Sequence, residues 1–446
     1  MKMNYINQNI KKLLFVTVLL MAFSNLKAQE ELYFNNLDSL LVYAEKNSYT
    51  IKNANKKTLI SKWQKIAAQA AIPNFKFQTN FSLTDNLELP VTYLPAEAFG
   101  GQPGTFKEVT TGQQYMSNLN FLFQADLLNL SSWSKLKSAR IDTELTQVSN
   151  KLAKKSLFES IAATYYNILS LQSQIKTTGQ TLVVADTLLA NIERKYNQGL
   201  VRLQDLNDSK INKLSTKDKL QQLEKSLEQQ KNNLKILCDI PTDSQLFITE
   251  KESEKKVYKY DLSTDNQLKY KQSLLEAEKA KAEIKRNKFM QLPVLSFVFY
   301  DAWLQNNNTG FFDSQFDWNN SKYVGLKLSI PFPNITAHTQ TKISKFNAQI
   351  SEENLMHIQK QNDLENRQLI IDYQKAYSQL ETNKQIKELK EENYRLALNQ
   401  FKADILPTDR LLTAYNDMLV SRLNYDVAYA NWLYTISKIN INNTIK

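Results

Sequence analysis

Three stretches of this chain alternate apolar and polar residues with a period of two. Phe75, Phe77, Thr79, Phe81 and Leu83 alternate with Lys76, Gln78, Asn80 and Ser82. Leu119, Phe121, Phe123, Ala125 and Leu127 alternate with Asn118, Asn120, Leu122, Gln124 and Asp126. Val324, Leu326, Leu328 and Ile330 alternate with Tyr323, Gly325, Lys327 and Ser329, and a fourth stretch, Val294 to Tyr300, is more uniformly apolar. Such alternation predicts strands with one face against something oily. Runs of roughly 9 to 11 residues match tilted transmembrane strands. Between these stretches the period changes. Leu220, Leu223, Leu227, Leu234 and Leu237 recur at steps of three, four and seven, which predicts a helix with one packing stripe.

The chain holds 8 Gly and 9 Pro, and thirteen of these lie in two windows, Pro73–Gly112 and Pro293–Pro333. Only Gly179, Gly199, Pro241 and Pro407 lie elsewhere. Gly and Pro punctuate regular structure, so the remainder predicts very long helices. Asn334 to Leu406 has neither residue and would extend about 110 Å as one helix. The pattern also repeats. Asn129 and Asn334, Tyr196 and Phe401, and Leu206 and Leu411 are each 205 positions apart. A fixed offset argues for duplication. The expected organisation is a signal peptide at 1–28, a first repeat at 29–240 with a β-hairpin at 73–127, a polar, irregular linker at 241–262, and a second repeat at 263–446 with a hairpin at 293–331.

A soluble β-subdomain packed on helices would show the same alternation. Two features favour a membrane. Aromatic residues cluster near strand ends and loops (Tyr93, Phe99, Phe106, Tyr115, Trp303, Phe311, Phe312, Trp318 and Tyr323), as interfacial girdles do. Each strand pair also carries a long connection, Asp85–Gln114 and Ala302–Lys322. Four strands cannot close around a lumen, since about eight is the smallest number observed. An open sheet edge cannot sit in lipid with its backbone groups unpaired. The strands must therefore be shared among copies in a cyclic homo-oligomer.

The N-terminal residues suit export. Lys2, Lys11 and Lys12 precede the apolar run Leu13–Phe23, which is too short to span a bilayer, and cleavage is expected after Ala28. Removing 1–28 takes the net charge from +11 to +7. That excess is spread over helical segments of mixed sign such as the run around Glu388, so no nucleic-acid footprint is expected. Cys238 is the only cysteine, which excludes an intrachain disulfide and a lipid anchor on a new N-terminal cysteine.

No catalytic constellation stands out. His338 and His357 are nineteen residues apart, which is not ligand spacing, and no Gly-rich phosphate loop or Cys/His cluster exists. No enzyme activity, cofactor or metal is expected. The informative local motif is Tyr196-Asn-Gln-Gly199-Leu200-Val201-Arg-Leu-Gln-Asp205-Leu. Gly199 can take the left-handed conformation that ends a helix, and Asp205 lies where the next helix begins, favourably for its dipole.

At these residues the chain resembles the TolC-like outer-membrane efflux family. The resemblance covers the mature chain: signal peptide, duplicated helix–strand–strand–helix halves, and the Tyr-x-x-Gly turn followed by Asp-Leu. Tyr93-Leu-Pro-Ala-Glu-Ala-Phe-Gly-Gly-Gln-Pro-Gly-Thr-Phe is similar to the first external loop of Bacteroidetes members. The resemblance implies an α+β membrane protein whose repeats form, as a homotrimer, a 12-stranded outer-membrane β-barrel continued by a long periplasmic α-helical barrel. It implies a passive exit duct for a tripartite efflux or type I secretion system, with a periplasmic adaptor (membrane fusion) protein and an inner-membrane transporter as partners and outer-membrane lipid around the barrel. The tip and gate positions it implies are Gly199, Leu200, Val201 and Asp205, facing Phe401, Asp404 and Arg410. The chain departs from the family there. Asp404 stands where the second tip carries Gly. Phe401 and Leu406 stand where an aromatic hydroxyl and a base are expected, and Arg410 and Thr413 occupy the two acidic pore positions. The rival reading is a periplasmic adaptor or structural coiled-coil envelope protein; adaptors also carry compact Gly- and Val-rich β-domains, which this sequence lacks.

Overall fold

A computed structural model describes residues 31–249 and 266–446. The signal segment 1–28 and residues 250–262 of the linker lie outside the described residues. The order of elements is β1 (Glu31–Phe34), α1 (Leu37–Asn47), α2 (Tyr49–Ala70), β2 (Lys76–Asp85), β3 (Val91–Pro95), a 3₁₀ turn (Ala96–Phe99), β4 (Phe106–Thr110), β5 (Tyr115–Leu128), α3 (Leu130–Asn197) and α4 (Leu203–Cys238). There follow β6 (Gln245–Ile248), α5 (Leu268–Phe289), β7 (Val294–Asn307), β8 (Asn319–Ser329), α6 (Ile335–Lys402) and α7 (Thr408–Thr444). No helix among the described residues is long and apolar enough to cross a membrane.

Helices α3 and α6 have 68 residues each. Their starts follow the same chemistry. Asn129 accepts from the Ser132 amide at 3.3 Å and Asn334 from the Ala337 amide at 2.9 Å. Each side chain supplies an acceptor to a first-turn amide, that of Ser132 also reaching the Asn129 carbonyl at 3.2 Å. Helix α3 continues through Gly179, around which there is open space.

The chain forms two compact units that cut across the sequence halves: residues 57–147 with 271–357, and residues up to 56 with 148–270 and 358–446. The first unit holds a four-stranded antiparallel sheet in the order β2-β5-β7-β8. Registers such as Phe77↔Phe123↔Phe299↔Val324 and Phe81↔Leu119↔Trp303 gather the apolar positions on one face. Lys76, Gln78, Asn80, Gln124, Asn120, Asn118, Ser321 and Lys327 lie on the other, with Leu122, Val298 and Tyr300 among them. Both edge strands are exposed along their whole length.

Strand β7 runs beyond its expected end at Tyr300 to Asn307. Its last apolar-face positions, Gln305 and Asn307, are polar, which hid them from a hydrophobicity pattern. The connection at 308–318 folds back over them. Gln305 donates to the carbonyls of Asp313 and Phe316, both at 2.7 Å, and Asn307 Oδ1 accepts from the amides of Thr309 and Gly310. The other long connection is also folded: β3 and β4 pair as an antiparallel hairpin, closed by the Ala96–Phe99 turn.

In the second unit, β1 pairs with β6 in parallel, Glu31↔Gln245 to Phe34↔Ile248. Residues 245–248 are therefore a strand where an irregular segment is expected within the linker at 241–262. Phe34, Leu246 and Ile248 are buried, and the Tyr33 and Phe247 rings stack at 4.7 Å. Burial on one face thus holds a pairing too short to be stable by itself. Buried Asn266 donates to the carbonyls of Asn442 and Ile445, while Asn362 and Asn366 donate to its own carbonyl. This ties α5, α6 and α7 together. Cys238 is buried, and burial pushes its thiol up to about 12.

Candidate functional site

The second unit contains both helix turns singled out in the sequence. At the end of α3 the Leu200 amide bonds the Lys195 carbonyl and the Gly199 amide bonds the Tyr196 carbonyl, both at 2.9 Å. Gly199 has φ +71°. This is a Schellman turn, which needs a left-handed residue just past the helix. At the end of α6 the Ile405 amide bonds the Gln400 carbonyl at 2.9 Å and the Asp404 amide bonds the Phe401 carbonyl at 3.2 Å. The same turn forms there with Asp404 at φ +56°. Asp is one of the few residues besides Gly that visits this region through a short polar side chain.

Helix α4 opens at Arg202, whose amide donates to Asp205 Oδ2 at 2.9 Å. The Arg202 side chain has no acceptor to return the bond, so Asp205 alone caps this end, with its charge at the positive end of the helix. Helix α7 opens after Pro407, whose ring fixes the extended-to-helical transition and whose missing amide costs nothing there.

Apolar packing joins the two turns. Leu188, Leu189, Ile192, Leu206, Phe401, Leu411 and Leu412 form one buried cluster, with Val201, Tyr196 and Leu406 against it. Phe401 is therefore core. Above it Tyr415 is fully buried, donates to the Thr181 carbonyl at 2.7 Å, and has its phenol pushed up to about 12 by burial. Further along, Asp426 accepts from the hydroxyls of Ser173 at 2.8 Å and Thr177 at 3.2 Å, and its carboxyl is raised by burial despite those bonds and the cations Lys387 and Arg422.

The structure brings Val201 and Phe401 together through this cluster. Leu200 and Arg410 are exposed, and Arg410 forms no ion pair among the described residues. Asp205 stays on its own helix end. Asp404 meets a residue that sequence reasoning missed: Lys195 forms an ion pair with it and sits 4.5 Å from the centre of the Phe401 ring. Lys195 belongs to the last turn of α3, where a cation favours the helix dipole. That position was the available signal, yet it is shared by many lysines of no further consequence. Among the described residues no group of three or more His, Cys, Asp or Glu could hold a metal ion.

Comparison with known proteins fits this geometry. The family model for outer membrane efflux proteins matches residues 65–238. No curated protein sequence matches the chain. The fold is similar to the outer membrane protein VceC of Vibrio cholerae, with TM-score 0.71 and 16% identity over 91% of this chain and 95% of that one. It is similar to the CmeC outer membrane channel of Campylobacter jejuni, with TM-score 0.73 and 13% identity over 91% of this chain and 85% of that one. The open state of the MtrE outer membrane channel of Neisseria gonorrhoeae has TM-score 0.68 and 14% identity over 92% and 88%. At these identities the structural likeness establishes the fold, while the matched segment runs from the end of α2 through the first hairpin and turn to the end of α4. Residues 65–238 are thus similar to the outer membrane efflux protein family, and the chain shares the fold of these outer membrane channels.

Proposed function

We propose that the protein is the outer-membrane exit duct of a tripartite efflux or type I secretion system. It is a passive channel rather than an enzyme. A periplasmic adaptor delivers cargo to the turns at Gly199 and Asp404, and an inner-membrane transporter supplies the energy. The observation that carries this reading is the sheet β2-β5-β7-β8. One face is apolar, the other mainly polar, and two fully exposed edges remain. Because each neighbouring pair is antiparallel, β2 and β8 also run in opposite directions. The β2 edge of one copy can therefore pair antiparallel with the β8 edge of the next. Three copies close a 12-stranded barrel with no edge left in lipid.

Exposed apolar residues on the helices support association of copies. Leu59, Ile60 and Trp63 on α2, and Phe346 and Ile350 on α6, are all more than half exposed in the single chain. Unpartnered apolar stripes of this kind mark protein interfaces. Helices α3 and α6 then form the wall of a periplasmic tube, and their starts and ends, each 205 positions apart, reflect duplicated repeats. At the turns, Leu200 and Ile405 offer exposed apolar contacts for the adaptor, with Val201, Asp205 and Arg410 beside them.

Fractionation and efflux measurements test this. A heat-modifiable trimer extracted from the outer membrane, and raised drug susceptibility on deletion of the gene, are the expected results. A soluble periplasmic monomer would refute the reading.

A further inference from the structure

The connection at 308–318 does not project away from the sheet. It lies on the apolar face, shielding Gln305 and Asn307, each 1% exposed. Its start is pinned by Asn308, which accepts from the Gln114 amide at 2.8 Å beside β5. Phe311 packs edge-on against Tyr115 of β5 at 5.0 Å. Phe312 stacks on Phe81 of β2 at 5.9 Å, with ring planes 14° apart. Trp318 closes over Phe312 at 6.2 Å. The segment leaves β7, crosses β5, and reaches the edge strand.

Phe312 is held there against its backbone preference. Its φ is +58°, a conformation that a bulky aromatic residue adopts only when its surroundings impose it. The ring is nevertheless 54% exposed, as is Phe81 beneath it. Between Phe81 and Trp318 the ring still leaves half its surface uncovered beside the free β2 edge.

The geometry points to an aromatic strap: Phe312 on Phe81 forms one wall of the seam at which the β8 strand of a second copy of this chain docks. The occupant follows from the sheet. The sheet has two free edges, so in a cyclic assembly the β2 edge of one copy meets β8 of the next, and β8 carries Val324, Leu326 and Leu328, all at least 60% exposed, to meet the rings. Aromatic and β-branched or aliphatic neighbours across strands are favourable pairs. The strap rests on the trimeric reading above and assigns the loop to assembly rather than to lipid or cargo.

The test uses the full-length protein extracted from membranes. Phe312→Gly removes the ring while suiting the left-handed backbone, so the loop can keep its fold. The trimer should dissociate to monomer at a lower temperature than wild type on semi-native gels. Separately, Phe312→Cys is combined with Lys322→Cys, Val324→Cys or Leu326→Cys and oxidised. Only disulfides that yield dimers or trimers on denaturing, non-reducing gels report contact between copies, since β2 and β8 of one chain lie three strand spacings, about 14 Å, apart while an intrachain link leaves a monomer band. Cross-linked dimers and trimers from at least one pair are expected, and buried Cys238 stays out of the reaction. A wild-type trimer with unchanged dissociation of Phe312→Gly and no cross-link at any position overturns the strap alone. Quenching of a label on Phe312→Cys by brominated phospholipid, with trimer stability unchanged, assigns the loop to lipid and also overturns it. A monomeric wild type removes the trimeric reading and the strap with it.

Discussion

Replacing Gly199 by valine isolates the backbone requirement of the first helix turn. A Cβ built at Gly199 meets nothing within 4 Å, so no clash contributes. The whole effect comes from φ +71°. The left-handed conformation costs a non-glycine residue about 1–2 kcal/mol, and a β-branched one more. Relaxing it breaks the bonds from the Gly199 and Leu200 amides to the Tyr196 and Lys195 carbonyls. A local cost of about 1–2 kcal/mol corresponds to roughly a 5- to 30-fold rise in opening. Amide hydrogen exchange on peptides covering 190–207 should show that loss of protection for Gly199→Val, less for Gly199→Ala, and least for Gly199→Asn. Asp404 provides an internal comparison. Asp404→Gly relieves strain at φ +56° but loses the Lys195 pair, whose carboxylate is 74% exposed and worth at most about 1 kcal/mol, so it should be close to neutral. Asp404→Ala keeps the strain and loses the pair. If the turns receive the adaptor, Gly199→Val should also raise drug susceptibility while the protein still reaches the outer membrane. Equal exchange in Gly199→Val and wild type, or Gly199→Asn opening as readily as Gly199→Val, would refute the reasoning.

Leu411→Ala empties a fully buried position in the cluster joining the two turns and should cost about 2–5 kcal/mol, read as lost exchange protection in both turns together. Tyr415 holds its proton to about 12 when folded, whereas an unfolded phenol ionises near 10; between those values it should lower stability by about 1.4 kcal/mol per pH unit, and Tyr415→Phe should reduce the alkaline slope by that amount, leaving the part that buried Cys238 contributes. Asp426 is raised by burial, so its charged form penalises the folded state above the ordinary carboxylate range and the penalty vanishes as pH falls to it. Asp426→Asn should therefore melt at or above wild type at pH 7, with the gap closing toward pH 4; a clearly lower melting temperature at pH 7 would contradict this.

The long helices and the two hairpins were legible because their punctuation is local. Gly and Pro cluster where strands and loops lie, and Asn129 and Asn334 cap the helices that follow. The folded loops were not legible. The β3–β4 hairpin has strands of five residues each, one of them ending in Pro95, and so gives almost no periodic signal. Gln305 and Asn307 are polar on an apolar face, a contradiction resolved only once the 308–318 segment covers them. At the turns, left-handed Gly199 could be read from residue type, whereas the Lys195–Asp404 pair depends on how α3 and α6 end beside each other. Strand β6 was missed for a related reason: four residues within polar surroundings find their partner 214 positions earlier.

That parallel pairing also orders the folding of the molecule. Closing a loop of about 210 residues costs roughly 5 kcal/mol in chain entropy beyond a length-independent constant, and four paired residues cannot meet it early. If the chain is delivered N-terminus first, Glu31–Phe34 arrives long before Gln245–Ile248 exists to receive it. Helices α3 and α4, whose contacts are close in sequence, form without that partner. The β1–β6 clasp is then the closing event of the first half of the chain, made only after α4 is complete.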